Sequence, residues 1–222
     1  MQEIEAVEHF YNTLSKDYDR VTTETPETWT PNRFLLEMLR KSESTAETLL
    51  DLGAGTGQTI QNVTEVYPDI EVTAIDASGQ MLSEIPLKGI RAQLIRGDMV
   101  KEIVKLPDNS YSLVVAIGCL EFVEDLKPLF QNIYRTLQPD GNLYFTYELF
   151  LKDADTVQST RENSIGLANT EKRMHTFRRD SKEIDKLLAS SSLELTERQR
   201  LISYYRADEP VVYEIVHAKK IS

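Results

Sequence analysis

Between Leu49 and Gly57 an apolar run carries Asp51 near its end, and Gly53, Gly55 and Gly57 then alternate through the following turns. Glycines at that spacing let the backbone bend tightly and let a ligand lie directly against it. A phosphate-binding loop of the nucleotide-hydrolase kind needs Lys followed by Ser or Thr after the glycines, and Gln58-Thr59 supplies neither. A dinucleotide site needs glycines that admit a pyrophosphate and an acid about 20 positions on. Asp76 supplies the acid, at the end of the run from Glu71 to Ile75, but the loop reads Gly-x-Gly-x-Gly without the two-residue gap. Asp51 beside the loop repels a pyrophosphate at low dielectric and suits a ligand that carries positive charge.

Further motifs follow in order: Asp76, then Gly97-Asp98-Met99, then the apolar run from Tyr111 that empties into Gly118-Cys119-Leu120-Glu121. Together with Asp51 to Gly57 they resemble the successive cofactor-binding motifs of the class I S-adenosylmethionine-dependent methyltransferases. The resemblance covers residues 49 to 147, and several motifs in the right order are far more specific than one glycine loop. It implies an α/β fold, a doubly wound seven-stranded and mostly parallel sheet whose last strand is antiparallel, and S-adenosyl-L-methionine as cofactor. It also implies that Tyr18, Asp51, Gly53, Ala54, Gly55, Asp76, Ala77, Met81, Asp98, Met99 and Ile117 bind that cofactor. Asp76 is expected to accept from the ribose hydroxyls and Asp98 from the adenine amine, since a carboxylate offers only acceptors. Where the family often has Gly-Phe before its sixth strand, this chain has Ser192-Leu193.

Length, a single glycine loop and the lack of internal repeats point to one domain over 1–222; the resemblance implies that residues 1–45 form a helical lid, and 149–180 is expected to be an insert near the substrate site. Hydrophobic residues at 41% are enough for a core, and a formal net charge of -11 disfavours nucleic acid and anionic lipid as partners. The basic group Lys172, Arg173, Arg178 and Arg179, next to Glu171 and Asp180, reads as an ordinary solvated face. Cys119 is the only cysteine, which fits a reducing compartment, and Met1 to Glu8 hold three Glu and no apolar run, so a cytoplasmic enzyme without a signal peptide is expected. No stretch of about 18 apolar residues suggests a membrane span. Oligomeric state is not legible.

In chain order, Ile4, Val7, Phe10, Tyr11 and Leu14 predict a helix ending near Ser15, and Val21 to Thr30 reads as a loop. Thr30 and Pro31 predict a capped helix start, with the single Trp29 either stapling that start or walling a pocket. Strands are expected at Thr48 to Leu52, Glu71 to Ile75, Arg91 to Ile95, Tyr111 to Ile117 and Asn142 to Tyr147. A helix is expected from Asp125 and another around Ile184, Leu187 and Leu188. A terminal antiparallel pair, Leu193 to Tyr204 and Pro210 to His217, is joined through Arg206-Ala207-Asp208-Glu209. The polar stretch from Leu149 to Asp180 is long for a plain loop, and such inserts often line a site.

The methyl group of a sulfonium is already activated, so the protein must mainly hold a lone pair in line, exclude water and take a proton where needed. Glu121 and Glu148 follow adjacent strands and are candidates to orient a cationic or hydroxylated substrate, and His175 is a candidate general base. The residues alone leave each of these open to a merely structural role. Cys119 reads as buried packing. The Pro-Pro-aromatic motif of amino-directed nucleic-acid methyltransferases is missing, and Gly118 stands where metal-dependent catechol-type enzymes have an Asp, so no metal is expected. The expected acceptor is a small molecule, methylated on oxygen, nitrogen or sulfur. The alternatives are a protein methyltransferase and a non-catalytic S-adenosylmethionine-binding module.

Overall fold

A computed structural model describes residues 4–23, 29–152, 156–167, 172–206 and 208–221. The helices are α1 (Ile4–Thr23), α2 (Pro31–Lys41), α3 (Gln58–Val66), α4 (Gly79–Leu87), α5 (Met99–Glu102), α6 (Lys127–Thr136) and α7 (Ser181–Ser190). The strands are β1 (Thr48–Leu52), β2 (Glu71–Asp76), β3 (Gln93–Arg96), β4 (Tyr111–Ala116), β5 (Leu137–Glu148), β6 (Glu162–Gly166), β7 (Arg173–Phe177), β8 (Leu193–Arg206) and β9 (Glu209–Lys220). Seven of them form one sheet in the order β3-β2-β1-β4-β5-β9-β8. The ladders from β3 to β5 are parallel, and β9 runs antiparallel to both its neighbours. The doubly wound sheet with a reversed last strand is the expected architecture.

Period-two alternation in the strands makes two cores. On β4, Val114 and Ala116 face one layer with Leu129, Phe130, Ile133 and Ile184 from α6 and α7. Leu113 and Val115 face the other, with Leu35, Leu39, Ile60 and Val63 from α2 and α3. Both sides of the strand are therefore apolar, as a sheet covered on two faces requires. A third cluster joins Ala6 and Val7 of α1 to Leu167 and to Met174 of β7. This contact packs α1 against the separate β6–β7 ribbon, beyond the carboxyl ends of the parallel strands.

Several expectations need correction. α1 runs to Thr23 rather than Ser15, because residues 15 to 23 contain no Gly or Pro and Tyr18 and Thr22 continue the stripe of Tyr11 at helical spacing. α1 thus takes in residues 21–23 of the predicted loop at 21–30, and residues 24–28 lie outside the described residues. Thr30 does not cap α2 with its side chain; its hydroxyl donates to the Ile202 carbonyl at 2.6 Å and its N–H to that of Ser203 at 3.0 Å, tying the helix start to β8. The ladder of β3 opens only at Gln93, and α6 begins at Lys127, whose N–H is taken by Asp125 Oδ1 at 3.0 Å. β5 already pairs from Leu137, with an irregularity before Asn142 where Asp140 adopts φ 60°. The insert contains the ribbon of β6 and β7, while 153–155 and 168–171, Glu171 among them, lie outside the described residues. Ala207 of the predicted β8–β9 turn does so too.

Candidate active site

The glycine loop leaves β1 and wraps over β2: the N–H groups of Gly53 and Ala54 both donate to the Ile75 carbonyl, at 2.8 and 3.0 Å. Gly53 has φ 72°, and a methyl group there would sit 2.4 Å from Cys119 Cβ, so only glycine lets the two strand ends approach. Asp76 closes the loop from the neighbouring strand, its Oδ2 accepting from Gly55 N–H at 2.8 Å and its Oδ1 from Ser78 N–H at 2.7 Å. Asp98 caps α5, with Oδ1 accepting from Val100 N–H at 3.0 Å.

These elements wall a cavity of about 400 Å³. Gly53, Gly55, Asp76, Ala77, Met81, Asp98, Met99, Ile117 and Tyr18 all line it, so nine of the eleven expected cofactor residues meet there. Ala54 and Asp51 do not line it. Asp51 is instead buried at the end of β1 with Oδ2 unpartnered, and burial, then the nearby Asp76, push its carboxyl up to about 8.

The outer wall is α1, contributing Ile4, Val7, Tyr11 and Tyr18. Polar ties hold it down. Asn12 Oδ1 accepts from Ser78 Oγ at 2.7 Å, and Asp19 takes Gln58 Nε2 at 2.8 Å, the Thr56 hydroxyl and the Lys88 ammonium. These bonds hold the Asp19 carboxyl below its usual range against the opposing effect of its partial burial. Asp19 escaped the sequence reading because its partners lie far along the chain, in the glycine loop and at the end of α4.

A second cavity, of about 600 Å³, lies on the other side of Tyr11, Tyr18, Gly118 and Phe122, which line both. Gly118 has φ 69°, and a methyl group there would fall 2.5 Å from the Trp29 ring. Trp29 thus walls a pocket, and Tyr204 and Tyr213 stand beside it at centroid distances of 6.1 and 5.9 Å. Glu121 lies deep in this cavity, 5% exposed. Its Oε1 accepts from the Tyr213 hydroxyl at 2.9 Å while Oε2 is buried without a partner, and burial pushes the carboxyl up to about 7.

Glu148 lines the same cavity but is bound at 2.6 Å by the buried Arg178 Nε. Arg179 is half-buried and points its guanidinium at the carbonyls of Leu120, Val123 and Glu124, fixing the loop that presents Glu121. Arg178 and Arg179 are therefore structural cations, and the reading of that basic group as a solvated face is wrong for both. Distance along the chain explains the misreading: their partners come from β5 and the β4–α6 loop. Lys172 and Arg173 do lie at the surface of the ribbon, the former paired with Glu5.

His175 is not brought to the site. On β7 the alternation turns Met174 and Thr176 into the second cavity, and His175 faces the other way, with Nδ1 2.8 Å from Glu162 Oε1. Cys119 is buried and donates Sγ–H to the Leu52 carbonyl at 3.0 Å, while burial raises its thiol well above the usual range. Among the described residues no group of three or more His, Cys, Asp or Glu side chains is arranged to hold a metal ion, and no helix is long and apolar enough to cross a membrane.

The first cavity fits S-adenosylmethionine. Asp76 retains lone pairs for a diol beyond its two backbone donors, and Asp98 offers an acceptor. Comparison with known proteins agrees. Residues 50–145 match the family model described as a methyltransferase domain. The chain is 26% identical over 117 residues to a malonyl-[acyl-carrier protein] O-methyltransferase of Paenibacillus sp. (strain JDR-2), covering 50% of this chain and 42% of that protein. It is 35% identical over 98 residues to a demethylmenaquinone methyltransferase of Chlamydia trachomatis, covering 43% of this chain and 42% of that one. The matches thus span well under half the length of either relative. In fold it resembles an S-adenosylmethionine-dependent methyltransferase of Clostridium acetobutylicum, with TM-score 0.68 at 17% identity, covering 96% of this chain and 99% of that one. The methyltransferase-domain match covers residues 50–145, and the fold is similar to that of S-adenosylmethionine-dependent methyltransferases.

Proposed function

We propose that the chain transfers a methyl group from S-adenosylmethionine to a small molecule seated in the second cavity, with Glu121 taking the proton that the acceptor atom releases. The observation that carries this reading is the shared wall: Tyr11, Tyr18, Gly118 and Phe122 line both cavities. Gly118, the one of the four without a side chain, is where two ligands on either side of such a wall would approach each other.

The bound cofactor supplies an electrophilic methyl group. The remaining work falls to the chain. Asp76 and Asp98, which line the first cavity, would hold the ribose and adenine of the bound cofactor. The Tyr11 and Tyr18 rings, half-buried between the two cavities, would help keep water from the junction. Glu121 is within the acceptor cavity and carries a free oxygen, whereas the charge of Glu148 is already answered by Arg178. Holding the two reactants in line supplies most of the acceleration, and the carboxylate adds proton acceptance. The relatives' names include an acyl-carrier O-methyltransferase and a quinone-precursor enzyme, so they leave the acceptor open.

The test is to incubate the protein and methyl-labelled cofactor with size-fractionated cell extract, with and without chelator. Label in the low-molecular-weight fraction, unchanged by chelator, is the expected result. Label confined to protein or nucleic acid overturns the small-molecule reading, and loss with chelator overturns metal independence. Binding of S-adenosylhomocysteine without transfer to any fraction would leave a binding module.

A further inference from the structure

The acceptor cavity is an aromatic enclosure around one acid. Trp29, Tyr204 and Tyr213 stand 5.9 to 6.3 Å apart by ring centroid, and Tyr11 and Tyr18, 6.1 Å apart, form another part of the lining. Glu121 is the acid, with Oε2 buried and unpartnered. Ring faces attract a cation through their quadrupoles, and a buried carboxylate oxygen without a donor adds a full charge. A neutral hydroxyl uses neither as well.

The opposite sign sits nearer the rim. Arg206, half-buried, lines the same cavity with its guanidinium carbon 5.8 Å from the Tyr204 ring centroid, and its Nη2 donates to the Tyr204 hydroxyl at 2.9 Å. Among the described residues no carboxylate forms an ion pair with it, unlike Arg178, which Glu148 holds. A planar cation so placed suits a carboxylate or a phosphate.

Resting on the methyl-transfer reading, we infer that the acceptor is a small amine carrying an anionic group, its nitrogen enclosed by the rings against Glu121 and its anion at Arg206. The ammonium gives a proton to Glu121 Oε2, and the freed lone pair forms the nitrogen–carbon bond. The carbon–sulfur bond breaks with its electrons going to sulfur, leaving the N-methylated product and S-adenosylhomocysteine. Glu121 then returns its proton to solvent.

Trp29 is the only tryptophan, so its fluorescence reports occupancy of this cavity directly. The full chain saturated with S-adenosylhomocysteine is titrated with four compounds of similar shape. Glycine betaine carries both charges, choline the cation alone, 3,3-dimethylbutanoate the anion alone and 3,3-dimethylbutanol neither. Betaine should bind tightest, and choline roughly tenfold tighter than the neutral alcohol. Glu121→Gln, which keeps an acceptor for Tyr213, should cut the preference for choline over the alcohol severalfold, the rings keeping the rest. Arg206→Gln should erase that for betaine over choline. Equal binding of alcohol and choline, preference for the butanoate, or binding by none of the four overturns the inference. Calorimetry with S-adenosylhomocysteine on the same samples separates the two levels: cofactor-product binding without cation preference sinks only this inference, and its absence sinks the methyl-transfer reading.

Discussion

Tyr213 on β9 gives its hydroxyl to Oε1 of Glu121 at 2.9 Å and leaves Oε2 without a donor. One bond therefore both orients the acid and lowers its pKa, against burial and the like charge of Glu148, with Arg179 acting on the same side as Tyr213. Tyr11, Tyr18, Tyr204 and Cys119 complete the titratable groups that feel it. As a proton acceptor Glu121 works ionised, so kcat/KM should rise with pH through about 7. Tyr213→Phe removes the lowering bond and should move that limb to higher pH. Glu121→Gln should abolish the limb and cut the rate by roughly 10²-fold or more. A profile indifferent to both substitutions would remove Glu121 from the reaction.

Asp51 makes the ligand-free protein less stable as pH rises. Its folded pKa, about 8, lies above the ordinary 3.8, so between those values the folded state binds the extra proton. Its stabilisation is complete below about 3.8 and lost as pH climbs through about 8. Glu121 acts in the same sense up to about 7. His217, pushed down to about 4 by burial, acts oppositely between about 4 and 6.5. Urea midpoints should thus fall from pH 6.5 to 8, where His217 no longer contributes. Asp51→Asn should flatten most of that fall, as should saturation with S-adenosylmethionine.

Asp76 carries two roles, since it closes the glycine loop and faces the cavity. Asp76→Ala should weaken cofactor binding by about 1 to 3 kcal/mol and also destabilise the ligand-free protein by about 1 kcal/mol, because Gly55 and Ser78 lose their acceptor. Asp76→Asn keeps one oxygen and should recover part of the stability but little of the affinity. Calorimetric titration and urea unfolding of both variants separate the roles; full affinity in either would make Asp76 only a loop tie.

Ser192 occupies φ 57°, the left-handed region, between α7 and β8. A side chain is strained there, and glycine is not. Ser192→Gly should raise stability by up to about 1 kcal/mol without affecting cofactor affinity, as thermal unfolding would show. Destabilisation would mean that the hydroxyl outweighs the strain.

Parallel strands announce themselves by continuous apolar runs, so β1, β2 and β4 were legible to within a residue. The glycine loop and Asp76 were legible because a loop of that spacing comes against the next strand's end, whereas Asp98 was singled out by the family resemblance. The acceptor cavity was not. Its rings come from positions as distant as Tyr11 and Tyr213, and on β8 and β9 each reads as one more packing residue. Nor does composition distinguish a solvated arginine from Arg178, whose partner Glu148 lies 30 residues away. His175 failed for a smaller reason: its orientation is set by strand parity, and the ribbon carrying it is too short and polar to be recognised.

α1 lines the cofactor cavity through Ile4, Val7, Tyr11 and Tyr18, and we propose that a ligand trades places with solvent when that helix lifts. On that proposal the step that breaks its ties to Gln58, Thr56, Lys88 and Ser78 would set how long the spent cofactor resides, and opening rather than bond making would pace turnover. Asp19→Ala should speed release of S-adenosylhomocysteine in stopped flow and raise amide exchange in α1, while the sheet keeps its protection. Added viscogen should slow multiple turnovers yet leave a single turnover untouched.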